Sequence, residues 1–318
     1  MRAVFLDFAT VSTGGDLDAT GLLQALPALQ VYATTTDALV DERIRGAEVV
    51  LINKAEISRA RIEANPQLRL IALTATGTNN VDLEAARERG VAVCNIRDYC
   101  TPSVVQHVWA VLLALTHHVR EYDRALKAGA WERENQFTML HYPVRELAGR
   151  TLGVVGWGNL GRGVARVAEA FGMRVLIANR AGAEPQGGRV ALAELLAQVD
   201  VLTLHCPITP ATRHLIGAAE LALMKQDAVL INTARGALVD ATALAAALRA
   251  GTLGGAAIDV LDGEPPAPGH PLLAPDLQRL IVTPHTAWAA MESRQRALDE
   301  LAANIRDFLA GGRRGRVV

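Results

Sequence analysis

Cysteine is scarce in this chain: Cys94, Cys100 and Cys206 are the only three among 318 residues. An odd, scattered trio with no CxxC spacing builds no disulfide framework and points to a reducing compartment, the cytoplasm. The eight histidines include no HExxH and no Cys/His ligand spacing, so no metal site is expected. Neither sign of charge dominates. With 32 Lys and Arg against 33 Asp and Glu, the net charge is −1, and the basic excess of a nucleic-acid binder is missing. Long hydrophobic runs are missing too. The most apolar stretch, 109–115, is far too short to span a bilayer and is flanked by Gln106, His107, His117 and His118. The first residues lack the longer apolar core of a signal peptide. Aromatics make up only 4% of the chain, whereas half of it is hydrophobic and rich in Ala, Leu, Val and Gly. Such a composition suits many contacts between small side chains on helices and sheets, and the length predicts two domains.

Short apolar runs alternate with helical patterns from the start. Strands are expected at 2–7, 30–34, 48–53, 69–74 and 91–94, with helix-compatible spacing at 16–25, 36–45 and 79–88. A longer helix follows over 103–119, entered through Thr101-Pro102-Ser103. A second series puts strands at 152–155, 174–178, 201–205, 228–232, 256–260 and 279–283, and a closing helix at 291–310. Their nearly continuous Val, Ile, Leu and Ala content is that of strands covered on both faces, hence of parallel α/β sheets. Between the two series, 120–145 breaks the rhythm and holds Tyr122, Trp131, Phe137 and Tyr142, four of the 13 aromatic residues. Either it packs on its own domain, or it is an arm that buries aromatics in a partner subunit, and the second reading is preferred.

Strand 152–155 runs into Gly156-Trp157-Gly158-Asn159-Leu160-Gly161, with a helical pattern after it. This strand–GxGxxG–helix order is the context in which such a turn holds a pyrophosphate. Gly156 permits the bend, Gly158 lets the phosphates approach, Gly161 lets the helix pack, and the helix start supplies free amides. The next strand ends in Asn179-Arg180. No carboxylate stands there to hold the ribose hydroxyls of NAD, and a guanidinium is adjacent, so NADP(H) is favoured while NAD(H) remains possible.

Ligands of open parallel sheets sit beyond the carboxyl ends of the strands. The residues at those ends are Cys206-Pro207, then Thr233-Ala234-Arg235-Gly236, then Asp259 leading to Glu264, then Pro284-His285. A 2-keto acid needs a planar bidentate donor for its carboxylate and keto oxygen, which Arg235 supplies. It also needs a proton donor, a role for His285, and a carboxylate on the other imidazole nitrogen, a role for Glu264.

Over essentially its whole length the chain resembles the D-isomer-specific 2-hydroxyacid dehydrogenases. The resemblance rests on Thr74-Ala75-Thr76-Gly77-Thr78-Asn79-Asn80-Val81-Asp82, the glycine turn, His205-Cys206-Pro207-Ile208-Thr209 with Thr212-Arg213, Asn232-Thr233-Ala234-Arg235-Gly236, Asp259-Val260-Leu261-Asp262-Gly263-Glu264-Pro265-Pro266 and Thr283-Pro284-His285. Within the family it looks most like the bacterial glycerate dehydrogenase/hydroxypyruvate reductase group. The resemblance implies two Rossmann-like or flavodoxin-like parallel-sheet domains, with the NAD(P) domain inserted into the substrate domain. Residues 1–99 and 287–318 would form the substrate domain and 100–286 the dinucleotide domain. A cleft between them would close over the reactants. Thr76 and Gly77 would hold the substrate carboxylate with Arg235. Besides the glycine turn, the cofactor residues would be Asn179, Arg180, Cys206, Pro207, Thr212, Thr233, Ala234 and Asp259, the last beside the nicotinamide. The 120–145 arm would make a homodimer. Asn179 departs from the Asp of NAD-specific members, and Glu264 stands where formate dehydrogenases of the superfamily carry Gln. The reaction expected is reduction of hydroxypyruvate or glyoxylate to D-glycerate or glycolate. Another D-2-hydroxy acid, or a non-catalytic corepressor-like sensor with extra segments, is the alternative.

Overall fold

The computed structural model describes all residues except Asn135 and 181–185. The chain divides into two compact units, Met1–Cys100 with Trp288–Val318, and Thr101–Ala287.

The first unit begins with β1 (Ala3–Phe5), α1 (Thr20–Ala25), β2 (Leu29–Val31), α2 (Asp37–Ile44), β3 (Val49–Ile52), α3 (Arg59–Glu63), β4 (Leu70–Leu73), α4 (Leu83–Glu88) and β5 (Ala92–Cys94). Its sheet is parallel throughout, in the order β2-β1-β3-β4-β5, the flavodoxin-like winding. Alternate residues feed two cores. Val4, Val50, Ile52, Ile71, Leu73 and Val93 pack on one face, and Phe5, Val49, Leu51, Leu70, Ala72 and Ala92 on the other. That double burial is why the strands read as unbroken apolar runs rather than alternating ones. Helix starts follow capping chemistry rather than hydrophobic spacing. The expected helix 79–88 starts only at Leu83, because the Asp82 carboxylate caps it by accepting from the Ala85 amide at 2.8 Å. Likewise 16–25 shortens to α1, its Thr20 amide donating to Asp18 at 2.8 Å.

The second unit opens with α5 (Thr101–Thr116) and α6 (Val119–Lys127). One continuous helix to 119 was expected. The chain instead breaks at His118, whose φ of +52° cannot continue a right-handed helix and whose ring stacks on Tyr142. The doubly wound part comprises β6 (Thr151–Val155), α7 (Asn159–Ala170), β7 (Arg174–Ala178), β8 (Arg189–Val190), α8 (Leu192–Gln198), β9 (Val201–Leu204), α9 (Ala218–Leu223), β10 (Val229–Asn232), α10 (Ala241–Ala250), β11 (Gly255–Ile258) and β12 (Leu280–Val282). All seven strands are parallel, in the order β12-β11-β10-β9-β6-β7-β8. This is Rossmann winding, and its direction reverses between β6 and β9. The chain then returns to the first unit as α11 (Met291–Leu309), which packs on α1 and β4 and whose Leu298, Leu301, Ala302 and Ile305 join the core on that face of the sheet.

Within 120–145, of which Asn135 lies outside the described residues, the aromatics divide. The Tyr122 hydroxyl lies 3.1 Å from the carbonyl oxygens of both Met139 and Tyr142, which share its one proton, inside its own unit. Trp131 is half exposed, Phe137 is 95% exposed and Leu140 82%. Among the described residues, no helix is long and apolar enough to cross a membrane.

Candidate active site

The glycine turn lies at the winding reversal of the second unit. Gly156 has φ +102°, and a Cβ there would stand 2.5 Å from the His205 carbonyl carbon and 2.6 Å from the Cys206 amide nitrogen. Only glycine lets β6 turn this close to the end of β9. At Gly161 a Cβ would meet the Gly156 carbonyl oxygen at 2.1 Å, so the first turn of α7 closes directly onto the loop. Among the described residues, a Cβ at Gly158 would meet nothing within 4 Å, leaving the outer face of the turn open to them. Gly158 is also the N-cap of α7 and brings no side chain to its first amides. Open space in front of a helix start whose cap residue has no acceptor is the cradle a pyrophosphate fits, with Asn159, Leu160 and Gly161 forming the first turn.

The neighbouring strand ends are tied together by hydrogen bonds. At the end of β7, the Asn179 amide donates to the Val190 carbonyl at 2.7 Å, and Arg180 is exposed. Their immediate successors, 181–185, lie outside the described residues. Beyond β9, the Thr212 hydroxyl donates to the Pro207 carbonyl at 2.9 Å and accepts from the Thr209 amide at 2.7 Å, closing the turn after Cys206. Burial pushes the Cys206 thiol above the usual thiol range. Arg213 reaches Asp262 at 3.1 Å and so ties this turn to the loop after β11.

Asn232, wholly buried at the end of β10, shapes the loop that carries Arg235. Its Nδ2 donates to the Arg235 carbonyl at 2.8 Å and its Oδ1 accepts from the Ala234 amide at 3.0 Å. One guanidinium nitrogen of Arg235 donates to the Ala234 carbonyl at 2.7 Å, which leaves the other donors of the fork. The Thr233 hydroxyl is buried with no hydrogen-bond partner among the described residues, at the mouth of the sheet. Gly236 lets the two loops meet, because a Cβ there would come within 2.0 Å of the Leu261 carbonyl carbon.

Glu264 uses both oxygens. Oε1 accepts from the Leu261 amide at 2.8 Å, and Oε2 lies 2.6 Å from Nδ1 of His285. The carboxylate thus fixes its own loop and the imidazole together, and both side chains remain partly exposed, at 34% and 27%. His285 has φ +57°, a conformation rare for a residue with a side chain. Asp259, 2% exposed, holds it there. The Asp259 carbonyl accepts from the His285 amide at 2.7 Å, Oδ1 accepts from the Thr283 hydroxyl at 2.5 Å and the Thr286 amide at 2.8 Å, and Oδ2 accepts from the Ala287 amide at 2.9 Å. The carboxylate expected beside a nicotinamide thus also ties down the loop of His285.

The structure therefore brings Arg235, Glu264 and His285 onto adjacent loops of one unit. Thr76 and Gly77 follow β4 in the other unit, where the Thr76 hydroxyl donates to the Ile96 carbonyl at 2.9 Å and Asn95 donates to the Thr76 carbonyl at 2.7 Å. Sequence reasoning gave no role to Asn232 or Gly236, although both flank Arg235, and none to Thr283. A polar residue ending an otherwise apolar strand was the available signal for Asn232.

A Rossmann-wound parallel sheet with a glycine turn at its reversal defines a dinucleotide-binding protein of the doubly wound α/β class. The family described as D-isomer specific 2-hydroxyacid dehydrogenase, NAD binding domain, matches residues 109–287. The chain is 45% identical over 279 residues to a glycerate dehydrogenase of Methylorubrum extorquens, covering 88% of each protein. A crystal structure from Thermus thermophilus superposes with TM-score 0.88 at 36% identity, over 100% of both chains. An NADPH-dependent glyoxylate/hydroxypyruvate reductase from Sinorhizobium meliloti does so with TM-score 0.81 at 27% identity, over 100% of this chain and 97% of that one. The chain belongs to the D-isomer-specific 2-hydroxyacid dehydrogenases.

Proposed function

We propose that this protein reduces a small 2-keto acid, hydroxypyruvate or glyoxylate, to the D-2-hydroxy acid or glycolate. The 2.6 Å contact between His285 and Glu264, one loop away from Arg235, carries the reading. The names of its relatives in Methylorubrum extorquens and Sinorhizobium meliloti agree with it. A bound reduced nicotinamide dinucleotide supplies the hydride for the carbonyl carbon. Arg235 pairs with the carboxylate and keto oxygen of the substrate and aligns it, a task for a planar fork rather than a point charge. His285 gives its proton to the carbonyl oxygen as hydride arrives at carbon. Glu264, on Nδ1, fixes the orientation of the ring and leaves Nε2 as the nitrogen that faces substrate.

The pyrophosphate rests on Gly156, Gly158, Asn159, Leu160 and Gly161, with Cys206, Pro207, Thr212, Thr233 and Ala234 lining the rest of the dinucleotide. NADPH is favoured over NADH, since Asn179 brings no charge to repel a 2′-phosphate and Arg180 offers one to pair with it. The subunits pair through the 120–145 arm.

The test is the absorbance of reduced cofactor, followed with hydroxypyruvate, glyoxylate and pyruvate and with each dinucleotide. His285→Ala should lower kcat about 10²–10⁴-fold while leaving dinucleotide affinity in place. Turnover near that of the unmodified protein would remove His285 from the chemistry. A higher kcat/KM with NADH than with NADPH would overturn the cofactor assignment.

A further inference from the structure

We propose that His107, on α5, is a positioning residue for His285, acting through Thr283 and Asp259. This rests on the catalytic reading of His285 given above. The His107 Nε2 is 3.2 Å from the Thr283 hydroxyl, which is 2.5 Å from Oδ1 of Asp259. The directions of these bonds follow from valence. A carboxylate has no proton to give, so the hydroxyl donates to Asp259. Its single proton is then spent, and toward His107 it can only accept. The His107 Nε2 therefore carries a hydrogen, and the tautomer is set by a carboxylate it does not touch directly. Nε2 lies 3.8 Å from Oδ1 of Asp259, outside hydrogen-bonding reach.

The end of this chain of bonds is the loop that holds the proton donor. Asp259 takes the amides of Thr286 and Ala287 on its carboxylate and that of His285 on its carbonyl. These bonds keep His285 at φ +57°. A side-chain-bearing residue stays in that region only where its surroundings over-determine it. A carboxylate buried to 2% exposure also needs its hydrogen bonds satisfied. Among the described residues, no Lys or Arg forms an ion pair with Asp259, and His107 is the basic side chain within 4 Å of its carboxylate. His107 polarises the Thr283 hydroxyl toward Oδ1, and chains of hydrogen bonds strengthen each other in this way. Because α5 packs against β10 and β11, the imidazole is delivered by an element of the same unit.

His107→Leu removes the donor and His107→Gln keeps an N–H donor. Three readouts are taken on the full-length protein: kcat and KM for hydroxypyruvate, amide exchange at 285–287, and thermal stability. His107→Leu should lower kcat about 10–100-fold, the effect of a lost hydrogen bond to a charged network, with KM changed less than about threefold. Exchange at 285–287 should quicken in step. His107→Gln should restore most of both. Thr283→Val breaks the same chain at its middle and should give a similar loss even where His107→Leu folds poorly, and the double variant should lose no more than either single one. The inference is overturned if kcat and exchange stay unchanged in His107→Leu or Thr283→Val, if Leu and Gln behave alike, or if the two losses add. His285→Ala measured alongside separates the readings. If it is inactive while His107→Leu is unaffected, only the positioning role fails, whereas an active His285→Ala removes the catalytic reading beneath it.

Discussion

At the end of β9, His205 has Nε2 2.9 Å from the Thr203 hydroxyl and Nδ1 buried without a partner among the described residues. Desolvation pushes its pKa down to about 4. The folded protein therefore keeps the ring neutral where an unfolded chain, with a histidine pKa of about 6.5, takes up a proton. Between those two values the unfolded state binds more protons, so stability falls as pH drops from about 6.5 and the loss levels off below about 4. The full effect is on the order of 3 kcal/mol for this one group. His205→Gln should flatten that part of the stability profile in urea unfolding at stepped pH. An unchanged acid slope would show that the ring is not desolvated. Single residues of this kind were unevenly legible in the sequence. Arg235, Glu264 and His285 could be singled out because they follow strands. Nothing local marked His205 as a half-buried ring with a desolvated nitrogen, since desolvation comes from neighbours distant in the chain.

Among the elements, strands were the easiest to read and helix ends the hardest. A strand covered on both faces has to be apolar at every position, and such runs stand out. Helix ends turn on one cap or one φ, as at Asp82 and His118. The 120–145 segment shows both sides. Its aromatics were visible, but only packing divides the inward Tyr122 and Tyr142 from the outward Trp131 and Phe137. If this arm pairs subunits, charging its exposed tip should separate them. Phe137→Asp with Leu140→Asp should shift sedimentation from dimer to monomer while far-ultraviolet circular dichroism stays constant. A protein already monomeric before substitution, or a variant that remains dimeric, would remove the arm from the assembly.

For the whole molecule, the two units carry separate cores and different windings, 2-1-3-4-5 in one and Rossmann order in the other. A dinucleotide held by the glycine turn adds its binding free energy to the second unit, about 2.7 kcal/mol at a ligand concentration of 100 Kd. Hydrogen exchange with and without NADPH should show protection rising along β6, α7 and β9, and Gly156→Val should abolish the rise. Protection rising instead along β1 and β3 would place the dinucleotide elsewhere. By itself the sequence determined the βα alternation, the glycine turn and the residues that leave each strand, because double burial, tight bends and strand ends each impose a local pattern. The tertiary structure alone decided that His107 meets Thr283 across 176 positions, and it fixed through Nδ1 the Glu264–His285 pairing, 21 positions apart, that the sequence had assigned by role. Those pairings depend on which strands lie side by side and which helix crosses them, and the free energy that selects that order is spread over the whole core rather than written in any one segment.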